Sequence, residues 1–126
     1  MKFVVGEERI EAELSHGDLT VSGDDEKGFR PYQLLVASVA SCSGSVFKRV
    51  LEKKRIEFDN ITIEASVKRD EKKANRIEEI QLTFKVTGEA LNLEQLEKSL
   101  VVSSKNCAMV RSVENSINIQ EIVEIV

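Results

Sequence analysis

The chain has 126 residues, of which 41% are hydrophobic and 32% charged, and a formal net charge of −4. This length predicts one domain spanning residues 1–126 with its own hydrophobic core, and the acidic balance argues against a general nucleic-acid binder, which normally carries a basic excess. Two Cys and one His cannot supply the four ligands of a structural zinc site, so we expect neither a metal site nor a bound cofactor.

The first residues predict no targeting segment. A short apolar stretch is followed by four acidic residues by position 13, whereas a signal peptide needs a longer apolar core. No uninterrupted apolar run approaches the roughly 20 residues of a membrane span. We therefore predict a cytoplasmic protein with no nucleic-acid or membrane partner. In that reducing compartment a Cys pair is more often reduced, catalytic or inert than a permanent disulfide.

The N-terminal third predicts a β-meander. Ile10, Ala12 and Leu14 alternate with polar residues, which is the period of a half-buried strand. The turn at residues 16–18 is followed by a second strand over residues 19–22. The only His, His16, lies in that turn, and we interpret it as a solvated turn residue rather than a catalytic one.

A long helix is predicted to begin at Pro31, the only proline, because proline suits the first helical turn. The helix runs to about Arg55. Residues 34–42 have almost no polar face, so we expect this half to be buried on all sides. The second half is amphipathic, and its apolar stripe consists of Val46, Phe47, Val50 and Leu51.

Two strands, a helix and a last strand follow. Residues 61–67 and 80–86 alternate between apolar and polar side chains and predict an antiparallel hairpin. Asn92 is the expected N-cap of a second helix, and residues 115–126 predict a terminal strand with Ile117, Ile119, Ile122 and Ile125 as apolar positions. The predicted class is α+β. The apolar face of the second helix comprises Leu93, Leu96, Leu100, Val101 and Met109.

Both cysteines are predicted to lie on helices. In residues 37–45, around Cys42, seven of nine side chains are Ala, Ser or Gly, which leaves room for a substrate or for a closely packed element. Cys107 is expected near the end of the second helix, with Lys105 and Arg111 close in sequence. The residues leave two interpretations open, a redox pair or two small buried hydrophobic residues.

Residues 30–42 resemble the helix signature of the OsmC/Ohr family, the osmotically inducible and organic-hydroperoxide-resistance proteins. The shared pattern is Pro, a variable residue, Glu or Gln, Leu-Leu, a run of small and apolar residues, and Cys. Cys107, followed by a terminal strand, matches in order and spacing. The resemblance implies an OsmC-like fold with a β-meander, a long buried central helix, a hairpin, a second helix and a C-terminal strand. It also implies an intertwined homodimer with its sites at the interface.

The resemblance further implies a thiol peroxidase. Cys42 matches the peroxidatic residue, which becomes a sulfenic acid, and Cys107 the resolving residue, which condenses with it to a disulfide. An external dithiol would restore the pair. An apolar pocket with Val39 and Val46 would favour a small organic hydroperoxide over hydrogen peroxide.

The sequence departs from the peroxidase branch in two places. Tyr32 stands where that branch has a Glu that pairs with an activating Arg, and we place it among the substrate-binding residues. The activating Arg is expected from the N-terminal strands, with Arg9 the first candidate by chain order and Arg30 another. Ala108 stands where the family often has Pro.

Two other functions are compatible with the sequence. One is a non-enzymatic OsmC-like protein that binds a small apolar ligand, with cysteines that serve only in packing. The other is a structural or interaction protein without a pocket.

Overall fold

The computed structural model describes residues 1–126, which divide into two compact units, residues 1–37 and residues 38–126. The element order confirms the predicted α+β class. The elements are β1 (Phe3–Val5), β2 (Ile10–Glu13), β3 (Asp18–Val21), α1 (Pro31–Lys53), β4 (Asn60–Asp70), β5 (Arg76–Thr87), α2 (Leu93–Lys105), α3 (Ala108–Val113) and β6 (Asn118–Ile125), with a short 3₁₀ turn at Glu71–Lys73.

The first unit contains the predicted β-meander. Strands β1, β2 and β3 form an antiparallel sheet in that order. Leu14 lies just beyond β2, where its N–H and C=O each bond Gly17 across the turn, at 3.0 and 3.1 Å. His16 is exposed in that turn. In this chain β1 leaves its apolar side chains in solvent, with Phe3 52% and Val5 78% exposed.

Helix α1 begins at Pro31 as predicted and ends at Lys53, two residues before the expected Arg55. Arg55 adopts a positive φ of 56°, which takes the backbone out of the helix. The expectation of burial on all sides was wrong for this chain, because Ala37 and Ser41 are exposed. Small side chains and hydroxyls do not form the apolar surface that large side chains do. The buried side consists of Val36, Val39, Ser43, Val46, Phe47 and Leu51.

Helix α1 is also long and apolar enough, by composition alone, to cross a membrane. The central helix of a folded domain commonly passes the same test, so this is weak evidence for a membrane span.

The second unit contains a three-stranded sheet in the order β4-β5-β6. The predicted hairpin is present, with Ile63 opposite Phe84 and the strands antiparallel. Phe47 of α1 meets Phe84 edge-on, with ring centroids 5.1 Å apart. A Cβ atom on Gly44 would lie 2.6 Å from the Ile63 Cδ1, so glycine allows α1 to approach β4 closely. The side chains of β5 with no exposed area are Ile80, Leu82, Phe84 and Val86.

Strand β6 lies parallel to β5, and two of its predicted core positions were wrong. Ile122 and Ile125 are 44% and 42% exposed, whereas Val123 is 5% exposed. Alternation along the strand explains the exposure of Ile122, because counting by twos from the buried Ile117 passes over position 122 and arrives at Glu121 and Val123. Ile125 lies on the same face as Val123, but it is the last residue of the strand. The Glu121 carboxylate therefore lies on the same side of β6 as the buried Ile117 and Val123.

Helix α2 begins as predicted, because the Asn92 Oδ1 accepts a hydrogen bond from the Gln95 N–H at 3.1 Å. It ends at Lys105, and a separate helix α3 follows. The prediction of one helix carrying Cys107 was therefore wrong. Of the expected apolar face only Leu96 and Leu100 are buried, whereas Leu93, Val101 and Met109 are exposed.

Candidate functional site: the thiol pair

Cys42 lies at the boundary between the buried and exposed sides of α1. Successive helix residues are about 100° apart, so Val39 and Val46 lie to one side of Cys42. Those two valines are only 1% and 8% exposed. Ser45 lies to the other side and is exposed. Cys42 is accordingly half-buried, with an apolar wall on one flank and an open flank on the other.

Cys107 is the residue immediately before α3 and is completely buried. Asn106 is the C-cap of α2, and its N–H donates to the carbonyls of Ser103 and Ser104. The Cys107 carbonyl then accepts the Arg111 N–H at 3.0 Å, which begins the next helix. The break between α2 and α3 thus turns the thiol inward, in the position of an N-cap.

The two thiols meet, although 65 residues separate them in the sequence. The pKa of Cys42 is lowered because its sulfur accepts hydrogen bonds from the Met109 N–H, the Cys107 S–H and the Ala108 N–H, and because the Arg49 charge acts on it; burial opposes these effects. The pair therefore holds one sulfur that favours the thiolate, with a second sulfur as its donor.

Cys107 has the opposite tendency. Burial raises the pKa of Cys107, and its hydrogen bond and charge interaction with Cys42 raise it further, whereas the Val110 and Met109 N–H groups lower it. At a given pH Cys42 is therefore the thiolate more often than Cys107 is. The two sulfurs therefore differ in how readily they form the nucleophilic thiolate.

The residue after Cys42 connects α1 to β6. The Ser43 Oγ is buried and donates a short hydrogen bond, 2.5 Å, to the Glu121 Oε2. The other carboxylate oxygen, Oε1, is buried without a partner. Glu121 therefore links the helix that carries Cys42 to the strand that follows α3.

Tyr32 and Arg9, which are also among the predicted site residues, lie in the first unit. Tyr32 is in the first turn of α1, and the Arg30 guanidinium stacks 4.9 Å from its ring centre. Arg9 pairs with Glu11 at 3.2 Å. Their roles toward Cys42 stay predictions.

Sequence reasoning missed two contributors to the site. One is Arg49, whose spacing of seven residues from Cys42 was a usable signal because it equals nearly two helical turns. The other is the pair of N–H groups at Ala108 and Met109. The break between the helices that exposes these groups is carried by the backbone around Asn106, and the composition of the segment does not reveal it.

The family model of OsmC-like proteins matches residues 23–121. The chain belongs to the OsmC-like family. No curated protein matches the sequence.

Solved structures share the OsmC-like fold. A hypothetical protein from Aquifex aeolicus has a TM-score of 0.86 at 29% identity, with 99% of this chain and 93% of that chain covered. An OsmC-like protein from Mycoplasma pneumoniae has a TM-score of 0.86 at 17% identity, with 99% and 94% covered. The organic hydroperoxide resistance protein OhrB of Bacillus subtilis has a TM-score of 0.67 at 20% identity, with 98% and 96% covered. The predicted OsmC-like fold is confirmed.

Proposed function

We propose that this OsmC-like protein is a Cys-based thiol peroxidase that reduces small organic hydroperoxides. The observation that carries the proposal is the proximity of the two thiols, which interact so that the pKa of Cys42 is lowered and that of Cys107 is raised. A packing role requires neither of these features. The similarity in fold to a protein named for organic hydroperoxide resistance supports the same chemistry.

In the first step the Cys42 thiolate attacks the distal oxygen of the hydroperoxide. The O–O bond breaks, the sulfur becomes a sulfenic acid, and the alkoxide takes up a proton and leaves as an alcohol. The N–H groups of Ala108 and Met109 hold the attacking sulfur as an anion. The buried Val39 and Val46 beside Cys42 would favour an apolar substituent, and Tyr32 would border the same substrate.

In the second step Cys107 attacks the Cys42 sulfur, the S–O bond breaks, water leaves and a disulfide forms. Burial raises the pKa of Cys107 most, and the negative charge of Cys42 raises it further. Oxidation of Cys42 removes that charge. Cys107 therefore becomes the better nucleophile when it is needed. An external dithiol then supplies two electrons and restores both thiols.

The proposed assembly is a cytoplasmic homodimer whose sites are completed at the interface. The exposed apolar side chains of β1 supply surface that a second copy could cover. Arg9 of the N-terminal strands is kept as an activating cation within this proposal.

The direct test exposes the protein to cumene hydroperoxide in the presence of a dithiol and follows peroxide consumption. Cys42→Ser should abolish turnover. Cys107→Ser should still permit the first oxidation, but the sulfenate should persist and overoxidise, which mass spectrometry detects. Equal and small effects of both substitutions, or no loss of thiols with peroxide, would overturn the proposal.

A second candidate function is binding of a small apolar ligand without chemistry. One observation favours it, a groove of about 470 Å³ between α2 and β6, which falls within the size range of ligand pockets. Thermal stabilisation by an apolar ligand that survives replacement of both cysteines by serine would support this candidate. Among the residues that line the groove are Leu100, Val101, Ile119, Ile122 and Val123.

A further inference from the structure

Arg49 lies on the same strip of α1 as Cys42. Seven residues correspond to about 700° of rotation, so the two Cβ atoms are offset by only about 20° around the axis. They are about 10 Å apart along it. Side chains of a helix lean toward its N-terminus, which directs the long Arg49 side chain back toward Cys42.

The surface between the two residues is open. Ser45 lies between them on the exposed flank, and it is a short side chain in solvent. The valine on the same turn, Val46, is directed into the core. A guanidinium at Arg49 can therefore approach the Cys42 sulfur along the outside of the helix.

Two other cations close in sequence to the cysteines are paired with carboxylates. Lys48 lies 3.8 Å from Glu52, and Arg111 lies 3.3 Å from Glu114. None of the ion pairs of the chain includes Arg49. Its charge is thus not neutralised by a carboxylate.

We propose that Arg49 is a positioning residue for the Cys42 thiolate, whose negative charge it stabilises from the same helix face. The inference rests on the proposed role of Cys42 as the reacting sulfur. Arg49 would add a positive charge on the helix that carries Cys42. The groups that face Cys42 from the other elements, the Met109 and Ala108 N–H and the Cys107 S–H, carry no net charge.

The direction of the pKa of Cys42 agrees with this assignment. The Met109 N–H makes the largest contribution to the lowering and the Cys107 S–H follows, with the Arg49 charge a smaller addition. Because Arg49 is exposed, its effect passes largely through water and should be sensitive to salt.

The experiment measures alkylation of Cys42 by iodoacetamide over a range of pH, followed by peptide mass spectrometry. Arg49→Gln should slow alkylation near neutral pH by about threefold, the order expected for a unit charge acting through water. It should also move the midpoint of the pH profile upward. Arg49→Lys, which keeps the charge, should stay close to the wild type.

Lys48→Gln is the matched control. It removes a positive charge from the adjacent position of the helix, which lies on a different face from Cys42. It should leave the profile unchanged. The difference between Arg49→Gln and wild type should vanish in about 1 M salt, where the screening length falls to about 3 Å. An unchanged midpoint in Arg49→Gln, or a slowdown that persists in high salt, would overturn the inference.

Alkylation requires no peroxide, so the alkylation profile tests the role of Arg49 independently of peroxidase activity. Failure of peroxidase activity would appear as retained thiols after hydroperoxide treatment. Failure of the role of Arg49 would appear only in the alkylation profile.

Discussion

The two sulfurs differ in protonation because different groups surround them. Cys42 receives hydrogen bonds from Met109, Cys107 and Ala108, whereas Cys107 is dominated by burial. Because the Cys107 S–H lies against the Cys42 sulfur, each of these two side chains changes the pKa of the other. Replacing one cysteine should therefore change the reactivity of its neighbour.

We expect Cys107→Ala to reduce the reactivity of Cys42 toward iodoacetamide near neutral pH. Loss of the S–H donor raises the pKa of Cys42, so the thiolate fraction at a fixed pH falls. Cys107→Ser keeps a donor and should have a smaller effect. The measurement is the pH profile of alkylation, and a profile identical in both variants and in wild type would contradict the hydrogen bond.

At this scale the sequence predicted that the two thiols lie close together, but not which groups surround them. Cys42 and Cys107 were identified by their order and settings, and the structure brings their side chains together. Arg49 could have been found from its helical spacing. The Ala108 and Met109 N–H groups could not, because backbone donors carry no residue signature and become available only where a helix begins.

At the scale of elements, the approach of α1 to β4 depends on one missing methyl group. Gly44 faces Ile63, whose Cδ1 would lie 2.6 Å from an added Cβ atom. Because the residue after Cys42 is bonded to Glu121 of β6, two consecutive residues of α1 contact two different strands. The position of the Cys42 thiol is thus fixed by contacts of α1 with both edge strands of the sheet, β4 and β6.

A double-mutant cycle tests this approach. Gly44→Ala should gain about 1 kcal/mol of helix propensity but lose it to the clash with Ile63. In an Ile63→Val background, which removes the Cδ1, the same change should be stabilising by about 1 kcal/mol. Free energies of unfolding from urea titration give the coupling. Identical effects of Gly44→Ala in the two backgrounds would show that the helix is not packed this closely.

Periodicity predicted most of the elements but not all their boundaries or faces. The hairpin and the N-cap at Asn92 were predicted because alternation and capping are local signals. The break after Lys105 was missed because apolar spacing continues through Met109. The core face of β6 was misassigned because Glu121 occupies an inward position, where a tertiary hydrogen bond to Ser43 outweighs the local preference.

For the whole molecule, the exposed apolar residues of the first unit bear on the proposed assembly. Phe3, Val4 and Val5 are 52%, 56% and 78% exposed in consecutive positions. Exposed apolar patches of this kind mark association surfaces. The proposed homodimer would account for them.

We expect sedimentation to give about twice the 14.1 kDa mass of the chain. Replacing Phe3 and Val5, which project from the same side of β1, by lysine should shift the protein toward the monomer and lower peroxidase turnover. Val126→Lys is the matched control, since Val126 is 62% exposed at the other end of the chain. A monomeric wild type would contradict the proposed assembly.

The position of β6 has a consequence for how the protein is made. This strand comes last in the chain yet pairs with β5, and it can do so only after α2 and α3 have crossed over. The Ser43–Glu121 bond, which joins residues 78 positions apart, is also formed by the final segment. Contacts so distant in sequence form slowly. During synthesis on the ribosome, therefore, Cys42 emerges long before the strand that fixes its helix, and we expect the nascent chain to carry an unassembled and oxidisable thiol until β6 has been made.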